Sequence, residues 1–150
     1  MKRILVIGGV VAALVVVVGV VWFQPQKLFI DETVEEAPVA QAPAATDAPD
    51  NGASGSFKSL AHATSGKAVL RGETLRLEDF ETENGPDLRV ILSVKDGDDY
   101  DGDFVDLGAL KGNKGNQNYE IPADVDLTKY DHAVIWCRRF NVAFGAAKLA

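Results

Sequence analysis

Cys137 is the only cysteine of the chain, and it lies in the run His132–Phe140 between Trp136 and the pair Arg138 and Arg139. A thiolate is both nucleophile and ligand, and neighbouring cations favour it. Cys137 is therefore a candidate redox thiol or prosthetic-group ligand. Arg139, two residues on and of the same strand parity, is the cation that would tune its ionisation. The plainer reading is a small buried hydrophobe, since free cysteine is among the most buried residue types. His62 and His132 are the only imidazoles, and either could serve Cys137 as base or co-ligand. His62, in the polar turn His62–Gly66, becomes a helper only if the fold brings it to the thiol. No Cys-x-x-Cys-His occurs, which excludes covalent c-type haem attachment.

Other clusters carry less. Asp96–Asp103 has carboxylates enough for Ca²⁺. Tyr100 falls where an EF-hand needs a ligand and no Glu closes the loop, so it reads as a solvated acidic loop. The Gly112–Gly115 stretch lacks the Lys-Ser/Thr of a phosphate loop. Glu78, Asp79, Glu81 and Glu83 read as a solvated edge, and no metal site is assigned.

The strand that must position Cys137 is apolar on both sides. Val134, Trp136 and, after the arginines, Phe140 share one parity; Ala133, Ile135 and Cys137 share the other. That is the pattern of a strand buried on two faces. Around it, short alternating runs are split by turn signals about every ten residues, which predicts an all-β, antiparallel sandwich or barrel-like domain. Lys67–Arg71 and Thr74–Phe80 form a predicted hairpin across Gly72 and Glu73. Leu88–Val94 is a strand with Leu88, Val90, Leu92 and Val94 inward and Arg89 and Ser93 outward. Phe104–Leu107 and Tyr119–Ile121 are short strands, Gly108–Asn118 a Gly/Asn loop, and Ala133–Phe140 and Val142–Leu149 the closing pair.

Ahead of this domain (residues 56–150) stand two other regions. Residues 1–25 hold the uncharged apolar run Ile4–Phe23, preceded by Lys2 and Arg3. As a helix its roughly 20 residues span about 30 Å, the thickness of a bilayer core. The run is longer than a signal-peptide core and lacks a small-x-small end, so it reads as an uncleaved signal-anchor. The positive flank places the N-terminus in the cytoplasm and the C-terminal domain outside the cell membrane, in an extracellular or periplasmic space. Residues 26–55, rich in Ala, Pro and acid, read as a disordered linker that spaces the domain from the bilayer. A net charge of −7 argues against nucleic acid as a partner, and a single cysteine forbids an intramolecular disulfide.

Several blocks together resemble the DM-thirteen domain family, the module of Skeletor-type cell-surface proteins and of bacterial membrane-anchored proteins. They are Gly55-Ser56-Phe57 with His62-Ala63-Thr64-Ser65-Gly66, Leu75-Arg76-Leu77-Glu78-Asp79-Phe80, and Asn84-Gly85-Pro86-Asp87-Leu88. Val105-Asp106-Leu107-Gly108, Leu110-Lys111-Gly112, and Gly115-Asn116-Gln117-Asn118-Tyr119-Glu120-Ile121-Pro122 follow. The last are Asp126-Leu127-Thr128-Lys129-Tyr130 and Val134-Ile135-Trp136-Cys137. The resemblance implies a β-rich extracytoplasmic component of electron transfer, not a hydrolase. It implies a hallmark cysteine, matched by Cys137, acting as a bare thiol or holding a prosthetic group such as haem. It also implies a separate redox partner protein. The alternative is a non-catalytic β-domain binding a surface protein, a glycan or Ca²⁺, with Cys137 in its core and the segments Asp96–Asp103 and Gly112–Asn118 as binding loops.

Overall fold

The computed structural model describes residues 13–19, 30–39, 52–97 and 103–150. Its strands in chain order are β1 (Thr33–Glu35), β2 (Ser54–Ser56), β3 (Lys58–Ser59), β4 (Thr64–Arg71) and β5 (Thr74–Thr82), followed by β6 (Leu88–Ser93), β7 (Phe104–Ala109), β8 (Lys114–Glu120), β9 (His132–Cys137) and β10 (Val142–Lys148). They form two five-stranded sheets, ordered β1-β8-β5-β4-β2 and β3-β10-β9-β6-β7. Inward side chains of both sheets meet in one core, with Ala68, Leu70, Leu75, Leu77 and Phe80 from the first and Leu88, Val90, Leu92, Ile135 and Cys137 from the second. The fold is the expected all-β sandwich.

The predicted hairpin forms β4 and β5, with Gly72 at φ 55° in the turn. Alternation carries Leu75 and Leu77 inward, and strict continuation would send Asp79 after them. Instead Asp79 adopts φ 47° and the β5–β8 register shifts between Leu77 and Phe80. Such a bulge adds one residue and resets the parity. Phe80 is thereby buried, edge-on to Phe57 with ring centroids 5.3 Å apart. Gly66 faces this bulge, where a Cβ would come 2.7 Å from the Phe80 Cα.

In four places the fold departs from expectation. First, the linker expected to be disordered over residues 26–55 supplies β1, paired parallel to β8, and β2, paired antiparallel to β4. Composition argued for disorder because the segment has too little apolar surface; polar contacts order it instead. Its residues 26–29 and 40–51 lie outside the described residues. Second, the Gly108–Asn118 loop contains most of β8, whose Gly and Asn residues are poor strand formers held by partners on both sides. Third, Ser93 is buried and Val94 is the more exposed of the two, because β6 is covered on both faces and ends at Ser93. Fourth, β9 stops at Cys137. Residues 138–141 turn sharply, with Asn141 at φ 52° and Phe140 66% exposed.

Among the described residues, no helix is long and apolar enough to cross a membrane. Of the expected Ile4–Phe23 anchor only residues 13–19 are described, and these are helical.

Candidate functional site

Cys137 is fully buried and free. The expected parities hold as far as β9 runs, but Phe140, expected on the side of Trp136, lies past the strand in an exposed turn. Ala133, Ile135 and Cys137 enter the inter-sheet core, while Val134 and Trp136 join a second cluster on the other face with Ile91, Ala143 and Ala146. Trp136 donates its indole N–H to Asn141 Oδ1 at 3.1 Å and packs beside Phe104. Within the sheet Cys137 lies opposite Leu88 on β6 and Val142 on β10.

The thiol is buried, but its residue ends a strand. Arg138, the next residue, is exposed; its backbone N–H donates to the Asp87 carbonyl at 3.0 Å and its Nε to Asp87 Oδ2 at 2.9 Å. The Phe140 N–H donates to the Cys137 carbonyl at 3.3 Å and closes the turn. An ion-paired corner thus follows directly on the buried Cys137. Arg139 lies in that exposed turn. Because β9 ends before it, strand parity does not carry Arg139 onto the face of the thiol.

His62 is held by other partners. Its ring stacks on Phe144, centroids 3.8 Å apart, and Nδ1 sits 2.7 Å from Glu83 Oε2. That hydrogen bond holds the Glu83 carboxyl below its ordinary range. His132 pairs through Nδ1 with Asp131 Oδ1 at 2.6 Å.

A cavity of about 180 Å³ opens beside the corner, lined among others by Ile30, Glu32, Gly85, Leu88 and Leu110. Leu88 is shared between its wall and the strand position opposite Cys137. The phenyl tip of Phe144 also reaches Gly85, where an added Cβ would lie 3.0 Å from Cζ. Cys137 does not line the cavity. Ligand sites typically occupy about 300–1,000 Å³, and a porphyrin needs room at the ligating atom itself. The packed core around Cys137 and the commitments of both imidazoles do not fit haem.

The polar structure that sequence reasoning missed surrounds β8. Gln117 is completely buried; its Nε2 donates to the Gly112 carbonyl at 2.7 Å, and its Oε1 accepts from the Gly112 N–H at 3.2 Å and the Tyr119 hydroxyl at 2.8 Å. Burial pushes the Tyr119 phenol well above its usual range. Asn113 bridges the Thr82 carbonyl and Asp31. The available signal was Thr33-Val34-Glu35, a β-branched alternation inside the acidic tract, facing the cations of Lys111–Lys114. No group of three or more His, Cys, Asp or Glu among the described residues is arranged to hold a metal ion. Residues 98–102 of the acidic loop lie outside them.

Comparison with known families matches residues 56–149 to the family described as "Electron transfer DM13". Comparison with curated proteins and with solved structures finds no match.

Proposed function

The chain belongs to the DM13 electron-transfer family, and from that premise we propose a membrane-tethered electron-transfer module whose redox group is the Cys137 thiol. The observation that carries this reading is the place of Cys137. It is the buried last residue of β9, followed at once by the Asp87–Arg138 corner and the turn over residues 138–141. A thiol so placed is shielded at rest and reached when a short turn opens, which needs only local unfolding. It acts as a bare thiol with a separate partner protein, because its packing leaves no room for a prosthetic group. Arg139, in that same turn, meets the thiol only in the opened form, where it favours the thiolate. His62 belongs to the Phe144–Glu83 cluster and takes no part.

The tether is the apolar run Ile4–Phe23, supported by its length, its lack of charge and the helical, exposed residues 14–18. It places the domain on the extracytoplasmic side.

The test is labelling of Cys137 by a small maleimide on the native full chain, alongside Asp87→Asn and Cys137→Ala. Local opening predicts labelling faster than global unfolding, accelerated by Asp87→Asn and abolished in Cys137→Ala. Labelling that only tracks global unfolding in urea would sink the redox reading. Complete burial of Cys137 favours a second reading in that event, a non-catalytic binding domain with Cys137 as core.

A further inference from the structure

Residues 31–37 cross the outer edge of β8 as an extended strap. Thr33, Val34 and Glu35 align parallel with Lys114, Gly115 and Asn116. The backbone ladder continues on both sides, the Lys114 N–H donating to Glu32 O at 3.2 Å and the Glu36 N–H to Asn116 O at 2.8 Å. Side chains reinforce it: Lys114 Nζ lies 2.8 Å from Asp31 Oδ2, Lys111 Nζ lies 2.7 Å from Glu36 Oε1, and the Asn118 N–H donates to Glu36 Oε2 at 2.6 Å. Arg76 Nη1 donates to the Glu36 carbonyl at 3.1 Å.

The acceptor edge is shaped for this occupant. Gly115 sits at φ 98°, and a Cβ there would run into the Val34 carbonyl oxygen. A Cβ at Gly112 would strike the Glu32 carbonyl oxygen and lie 2.8 Å from Val34 Cγ2. Acidic strap and basic edge are complementary in charge. The strap lies outside the family match over residues 56–149.

The same contacts make the strap exchangeable. None of its residues is fully buried, and Val34 alone of β1 is half-buried. It is therefore held by polar contacts, and each surface ion pair contributes only about 0–1 kcal/mol. Its connection does not force it to stay at home. β1 and β2 are the two edges of one sheet, four strand spacings or roughly 19 Å apart. The chain from Glu36 to Ser54 can reach about three times that distance. Exchange of an identical element between copies is a low-cost route to pairing when the linker permits it.

We propose that the outer edge of β8 is an acceptor site for an extended acidic strand, and that residues 31–37 of one copy fill the site of a second copy in place of that copy's own strap. The pairing is reciprocal, each chain donating one strap and accepting one. It does not depend on Cys137 or on the membrane tether.

The test is a charge-swap on full-length chains carrying different tags. One chain carries Asp31→Lys and Glu36→Lys; the other carries Lys111→Glu and Lys114→Glu. The four side chains are 32–53% exposed, so the sandwich tolerates the changes. Each variant alone releases its strap, read as faster amide exchange over residues 33–36. Mixing the two matches each strap to the other chain's edge. The expected result is restored protection and capture of the mixed pair about tenfold above either variant with itself, a gain well within that of linked binding. A chain with all four substitutions regains protection when dilute. Two results overturn the proposal. Recovery in the four-fold variant with no mixed pair makes the site strictly intramolecular, and no recovery in either means the edge does not read charge.

Discussion

Cys137 and Glu36 lie in two regions that are stabilised in opposite ways. Cys137 is enclosed by Leu88, Ile135 and Val142, and its neighbourhood is held by apolar packing. Glu36 sits on a sheet edge and is held by hydrogen bonds and an ion pair, with Lys111, Arg76 and Asn118. Both regions belong to one sandwich, yet they respond to different perturbations. Loss of volume damages the first, and loss of a charge or a hydrogen-bond partner damages the second. The candidate redox residue is thus in the apolar part, and the proposed acceptor edge is in the polar part.

The largest effect is expected at Ile135, fully buried on the face of β9 that carries Cys137. Ile135→Ala removes packing next to the thiol and leaves a cavity, at a cost of about 2–5 kcal/mol in urea unfolding. The strap should be indifferent, its amide exchange over residues 33–36 unchanged once global unfolding is subtracted. A coupled loosening of the strap would break the division between the two regions.

Gln117→Ala attacks the other region. It strips the Gly112 N–H and carbonyl of their buried partners, at a cost of about 1–3 kcal/mol. Gly112 lies directly beneath the strap, so here strap exchange should rise while maleimide labelling of Cys137 stays near its native rate. If labelling rises equally, the polar edge and the core are one cooperative unit.

The two regions also differ in how far the amino-acid sequence reveals them. The apolar alternations of Leu75/Leu77 and Ala133/Ile135/Cys137 specify their faces directly, because burial of apolar side chains depends on residue type and period alone. The sandwich and the interior place of Cys137 were therefore legible. The β8 strand was not. Lys114–Tyr119 has a low strand propensity, and its order comes from residues about 80 positions away, as in the Asn113–Glu32 and Asn116–Glu35 bonds. Local reading cannot weigh a hydrogen bond whose partner is that distant. The Asp79 bulge was hidden for a related reason, since it is stabilised by Asn116 Oδ1 accepting from the Asp79 N–H at 3.0 Å. Arg139 shows the opposite error: parity was extended through residues that turn, and an exposed hairpin tip was assigned to a strand.

The smallest effect, a pH dependence, isolates the strap most cleanly. Asp31 is held below its ordinary value of 3.8, chiefly by its hydrogen bond from Lys114. Glu36 is held below 4.5, chiefly by that from Lys111. A carboxylate whose folded-state pKa is depressed contributes stability that is fully present above its unfolded value and is lost as pH falls through the folded one. Strap docking should therefore be constant from neutral pH down to about 4.5, weaken below it, and be largely gone once both carboxyls are protonated. The core cluster around Cys137 is built from apolar side chains, whereas the strap is held through its carboxylates. Amide exchange over residues 33–36, followed from pH 7 to pH 3 beside that of β9, should show protection falling in the strap first. Parallel loss in both would mean that acid unfolds the sandwich as a whole, and that the strap is no more separable than any other strand.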